Sequence, residues 1–132
     1  MMLSHNVFFT LSDPTAETIE HLCKDCREYL AGHPGTAFFA AGPLNPDLDR
    51  PVNDRAFHVA LHVVFENSES HDVYQTDARH LTFIERNKDS WAQVRVFDSD
   101  VEGLAWSPIE RGGSRVDVAL TLGRLEQMAP CW

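Results

Sequence analysis

Read for alternation and for helical spacing, the chain divides into short apolar runs separated by polar turns. Residues 5–11, HNVFFTL, are rich in β-branched and aromatic side chains and predict a strand. The period then changes. Ile19, Leu22, Cys23, Cys26 and Leu30 fall at i, i+3, i+4, i+7 and i+11, one apolar stripe of a helix. Ser12 or Asp13 can cap that helix, Pro14 suits its first turn, and Gly32 its C-terminal stop. Residues 36–44, TAFFAAGPL, predict a second strand, and residues 57–65, FHVALHVVF, a third. The loop between them, 45–55, is dense in Pro, Asp and Asn. In the third strand Phe57, Val59, Leu61, Val63 and Phe65 make one face; His58, Ala60, His62 and Val64 make the other. So little charge on either face predicts a central strand covered on both sides. Capping residues at 67–70, NSES, open a helical pattern that runs from about 69 to 87, and residues 90–98, SWAQVRVFD, predict a fourth strand.

The order β-α-β-β-α-β is that of the ferredoxin-like α+β fold, with helices on one face of a four-stranded antiparallel sheet. The other face, carrying His58, Ala60 and Val64, is too apolar for water. A second copy of the chain is expected to cover it, giving a homodimer through the sheet face. Beyond this core, residues 115–122, RVDVALTL, alternate strictly, and 101–109, VEGLAWSPI, can pair with them across ERGGS. An added C-terminal β-hairpin over 101–132 is therefore expected, within a single domain whose core spans 4–100.

Composition narrows the partners. A chain of 132 residues supports one core of ordinary size. Twenty acidic residues against eleven basic ones give a formal charge of −9, which repels phosphate backbones and anionic lipid. The Lys and Arg are scattered singly, so no nucleic-acid partner is expected. FHVALHVVF is far too short to span a bilayer, and MMLSHNVFFTL lacks the basic-then-apolar pattern of a secretory leader. Three cysteines, an odd number, make no disulfide framework, and a reducing cytoplasm is the expected location.

Candidate chemistry concentrates in residues 74–87, YQTDARHLTFIERN. Six residues of helix rotate by about 240°, so on one unbroken helix Tyr74 and His80 point apart. A break between them turns both toward one place. An imidazole accepts a proton near neutrality and a phenol hydrogen-bonds it and steadies an enolate, which reads as a proton-transfer pair. The alternative is that the pair only cements the break. His5 shares the face of Val7 and Phe9 and joins them as a candidate. The CKDC at 23–26 has redox spacing, but both cysteines lie mid-helix on the apolar stripe, where a thiol packs as a small hydrophobe. A four-ligand zinc site there would need Cys131 and remote histidines. His58 and His62 lie about 13 Å apart along a strand, too far to share one ion. No metal and no cofactor is expected.

Several of these stretches together resemble a known family. A strand opened by histidine (HNVFFTL), the run HVALHVVFENSESHDVYQ, and YQTDARH in the place of Tyr-x-x-His-Pro-x-His are similar to the stress-responsive A/B barrel (Dabb) domain. VRVFDSD, 94–100, resembles its closing strand, and Asp77 and Ala78 stand where the family usually has His and Pro. The resemblance implies a homodimeric α+β barrel with room for a small-molecule ligand. In a plant polyketide cyclase of the family the last motif histidine is the base and the tyrosine its hydrogen-bonding partner. Those roles would fall on His80 and Tyr74, with His5 projecting into the same cavity. The third-strand histidine that lines the cyclase pocket corresponds to Val59 here, and His58 points to the opposite face. Two classes therefore stay open: a stress-associated dimer without catalysis, and a small-molecule enzyme working by acid–base chemistry. A monooxygenase, another theme of the superfamily, is a third. A cavity beside Tyr74 and His80 decides between them; filling by Phe9, Phe38 or Phe83 would remove the enzyme's site.

Overall fold

The computed structural model describes residues 1–103, and the compact unit within them comprises residues 1–49 and 53–102. The elements run β1 (Met2–Leu11), α1 (Ala16–Leu30), β2 (Thr36–Pro43), β3 (Val59–Phe65), α2 (Ser68–Thr76), α3 (Ala78–Asn87) and β4 (Trp91–Val101). The four strands form one antiparallel sheet in the order β2-β3-β1-β4, the ferredoxin-like arrangement expected from the element order. The hairpin expected over 101–132 lies outside the described residues, save that Val101 ends β4, paired with Met2. Among the described residues no helix is long and apolar enough to cross a membrane.

Helix α1 forms on the predicted stripe. Leu22, Cys23, Cys26 and Leu30 are buried, and Gly32 takes the left-handed conformation just past the helix end, at φ +77°. The start differs from expectation. Thr15, not Ser12 or Asp13, is the cap, exchanging bonds with Thr18 in a capping box, and Pro14 precedes the cap. Ser12 instead donates its N–H to the Ser90 carbonyl, tying the end of β1 to the approach to β4.

Alternation places Val7, Phe9 and Leu11 of β1 and Val59, Leu61, Val63 and Phe65 of β3 beneath the helices, where all are buried. Phe83 of α3 and Tyr74 of α2 complete this core. Asp25 of α1 is buried too, and is held by Arg86 Nε (3.0 Å) and Asn87 Nδ2 (3.0 Å) of α3. Burial pushes its carboxyl up, but the hydrogen bonds from Arg86 and Asn87 outweigh it and hold it below the usual carboxylate range.

The edge strand β4 is treated differently. Val94 and Val96 pair with Phe9 and Val7 and so lie on the helix side, yet they are 38% and 49% exposed. The helices cover the other strands and leave this margin open. The outer face of the sheet carries Phe8, Phe38, Val64 and Phe97, with Phe38 and Phe97 among the exposed large hydrophobics. Phe38 is a correction: it cannot fill the space beside Tyr74. A register shift between Thr36 and Phe38 pairs Phe38 with Val64, an outward residue, where an unshifted ladder would have paired it with Val63.

Candidate functional site

Tyr74 and His80 do meet. Helix α2 ends and α3 begins at Asp77, which is extended (φ −64°, ψ 141°) and serves both helices. Its N–H donates to the Tyr74 carbonyl at 3.2 Å, closing α2. Its carboxylate accepts from the Arg79 N–H at 2.8 Å, capping α3. An N-cap aspartate thus makes the break without proline. Arg79 also reaches back to the Glu28 and Ala31 carbonyls at the end of α1, fixing the corner in place.

The break brings the two rings to 4.6 Å between centroids, tilted by 57°. Among the described residues no hydrogen bond joins their side chains; the rings pack at that tilt. Tyr74 is almost fully enclosed, and His33 meets its ring edge-on at 4.9 Å. His33 is itself anchored by Nε2 donating to the Tyr29 carbonyl at 2.7 Å. Burial pushes the Tyr74 phenol well above its ordinary value, so it stays protonated and can act only as a neutral hydroxyl. Burial holds His80 below the usual imidazole value, with His33, His5 and His71 adding to the effect and a hydrogen bond to the Gln75 backbone opposing it. His80 is therefore neutral at pH 7 and carries one lone-pair nitrogen.

His5 lies mid-strand in β1, not at its start as expected, and its Nδ1 donates to Asp98 Oδ1 at 2.5 Å. Asp98 is its partner across the β1–β4 ladder. His71, one turn before Tyr74 on α2, packs its ring 4.8 Å from that of His5. His5, His71, Tyr74 and His80 thus line one end of a cavity of about 390 Å³, which opens along β4. Phe9, Phe83, Trp91, Val94 and Val96 supply its apolar end. Phe9 and Phe83 are walls, not plugs. Two buried polar atoms of lining residues have no hydrogen-bond partner: His80 Nδ1 and Trp91 Nε1. Such atoms are rare in folded proteins and call for a reason.

The structure brings together all three residues the sequence singled out, and adds His33, His71, Asp98 and Trp91. The i−3 spacing from Tyr74 was a readable signal for His71; Asp98 was visible only through strand register. Among the described residues, His5, His71 and Asp98 are the group able to hold a metal ion, their ligand atoms all lying within 4.8 Å of one another. The two cysteines of CKDC are buried packing residues of α1, with the Cys26 thiol pushed up to about 12, chiefly by burial. His58 lies just before β3 and accepts the Leu11 N–H on Nδ1, and His62 contacts Asn6. Neither lines the cavity, and the position read as the cyclase's missing histidine is Val59, fully buried.

The family model of the stress responsive A/B barrel domain, Dabb, matches residues 3–101. The chain belongs to the Dabb family. Solved structures agree on the Dabb fold. A Dabb family protein with a ferredoxin-like fold from Mesorhizobium loti superposes with a TM-score of 0.61 at 20% identity, over 77% of this chain and 98% of that one. A dimeric ferredoxin-like protein of unknown function from Thermobifida fusca gives 0.65 at 17% identity, over 76% and 92%. The hydroxynitrile lyase of Passiflora edulis gives 0.62 at 18% identity, over 78% and 95%. Among curated proteins none matches the sequence.

Proposed function

We propose that this Dabb domain is a homodimeric small-molecule enzyme that moves a proton on a largely apolar ligand held beside Tyr74 and His80. The observation that carries this reading is the cavity itself, with an unpartnered, buried His80 Nδ1 in its lining. Its volume, about 390 Å³, falls in the range of small-ligand pockets. In this reading neutral His80 is the base, and the Tyr74 hydroxyl hydrogen-bonds the ligand oxygen on which charge develops. Trp91 Nε1–H offers a further donor, and His5 forms the wall opposite. The apolar end excludes water and holds the ligand's hydrocarbon part. A hydroxynitrile lyase on the same fold is a precedent for small-molecule chemistry in such a frame, by fold likeness alone.

A stress-associated dimer without catalysis gives no use to unpaired polar atoms beside an open cavity. Dimerisation is common to both main classes. The dimer is assigned to the outer sheet face, where Phe38 and Phe97 are more than half exposed. Phe97→Asp should convert the dimer to monomer by sedimentation at micromolar concentration; an unchanged dimer would move the interface elsewhere.

The test of catalysis uses an enolisable aryl diketone, benzoylacetone, whose ring suits the apolar end. Deuterium exchange at its central carbon, followed by NMR in D2O, should be accelerated by the wild-type dimer. His80→Ala should lower that rate by about 10²–10⁴-fold and Tyr74→Phe by less, with fold and dimer retained. Wild-type exchange no faster than that of His80→Ala would end the enzyme reading.

A further inference from the structure

We propose that His5, His71 and Asp98 bind one divalent transition-metal ion, Zn²⁺ or a near relative, at the polar end of the cavity. Each ligand comes from a different element, so the set is a product of the tertiary fold. The β1–β4 register puts Asp98 opposite His5, and α2, packed over β1, lays His71 against His5 at 4.8 Å between ring centroids. The three ligand atoms already lie within 4.8 Å of one another.

Two imidazoles and one carboxylate are a donor set that suits Zn²⁺, Fe²⁺ and their neighbours and leaves coordination positions free for water or a ligand. At metal–ligand distances of about 2.0–2.2 Å, tetrahedral donors sit about 3.3 Å apart. The widest pair must close from at most 4.8 Å, a movement within reach of side-chain rotation. The His5–Asp98 pair, at 2.5 Å, must open. Asp98 can do so because its side chain is 45% exposed and moves at the open margin of β4. As the ion takes His5 Nδ1, the proton that now lies between His5 and Asp98 passes to Nε2 of the same ring, and the imidazole binds as the neutral ligand.

The surroundings suit a cation. Gln75, one turn beyond His71 on α2, has its amide nitrogen 3.1 Å from His71 Nε2; with the amide turned end for end, its oxygen would accept the Nε2–H and steady the ring, the role that outer partners play around ligating histidines. Asp100 lies two residues beyond Asp98 on the same face of β4 and adds negative charge. His5 and His71 are both in the lining of the cavity, so the free coordination positions are directed at whatever occupies it. The site does not require proton transfer by His80, and its test does not use activity.

The full-length protein, stripped with a chelator and returned to buffer, is titrated with Zn²⁺ alone by calorimetry. One equivalent per chain is expected. His71→Ala and Asp98→Asn should each weaken binding about tenfold or more, while His80→Ala leaves it unchanged. Should His71→Ala unfold, His71→Gln serves in its place. Co²⁺ should bind with visible d–d bands that His71→Ala removes. Absence of a stoichiometric site in the wild type overturns the proposal, as does binding that survives both Asp98→Asn and loss of His71. In that case the three side chains are only a hydrogen-bonded patch. Loss of His80-dependent exchange with intact Zn²⁺ binding would reject the enzyme reading alone.

Discussion

Two buried polar groups on the helix side of the sheet show opposite treatment. Between α1 and α3, Asp25 is wholly enclosed and every nearby donor meets it: Arg86, and Asn87, which also donates to the Phe83 carbonyl. Between α2, α3 and β4, three histidines and Tyr74 crowd one cavity, and His80 Nδ1 and Trp91 Nε1 are left without partners. Burial of polar groups is costly in both places. In the first the hydrogen bonds offset the cost, and the result is a clamp between helices. In the second the cost is left standing, which is the pattern of a site that gives up stability to receive something else.

The largest break in that contrast should come from Asp25→Ala. It removes the acceptor shared by Arg86 and Asn87 and leaves one N–H of the buried Asn87 amide unpaired, the other still bonded to the Phe83 carbonyl, at a cost of about 2–3 kcal/mol in urea unfolding. A loss below about half a kcal/mol would mean the clamp is ornamental. At the cavity the balance differs. His80→Leu removes the unpartnered Nδ1 together with the ring's one hydrogen bond, to the Gln75 backbone; the two changes offset, so stability should hold to within about 1 kcal/mol while diketone exchange disappears. A fall of the size expected for Asp25→Ala would show that His80 is structural.

The smallest effect is on pH dependence. The folded-state value of His80 is lowered, by burial first and then by its neighbours His33, His5 and His71, with Tyr74 uncharged beside it. Its contribution is therefore fully present above the unfolded imidazole value of about 6.5 and is lost as pH falls through the folded value. As pH falls below about 6.5, wild-type stability should decline more steeply than that of His80→Leu. Parallel profiles would place the acid sensitivity elsewhere.

Much of this was legible in one dimension. The period change at Ile19, the stripe through Leu22, Cys23, Cys26 and Leu30, and the alternation of β3 each follow from local spacing, and the structure keeps them. The spacing of Tyr74 and His80 left two readings open, no relation or a helix break between them; the family resemblance favoured the break, and the structure has it. Smaller features were not. Thr15 took the cap through its capping box with Thr18, while the Ser12 backbone is tied to Ser90, 78 positions away (90 − 12). Phe38 went outward because one extra residue in β2 shifted its register.

Local patterning of side chains, then, determined the elements and their order, while the resemblance to the Dabb motif pointed to Tyr74 and His80 as a pair. It did so because helix and strand periods depend on near neighbours alone. The tertiary structure decided what surrounds that pair. Asp98 reaches His5 only through a ladder spanning 93 positions of sequence. The cavity exists only because the helices stop short of β4 and leave Val94 and Val96 uncovered. Register and coverage are set by how whole elements pack, and no spacing within a single element records them.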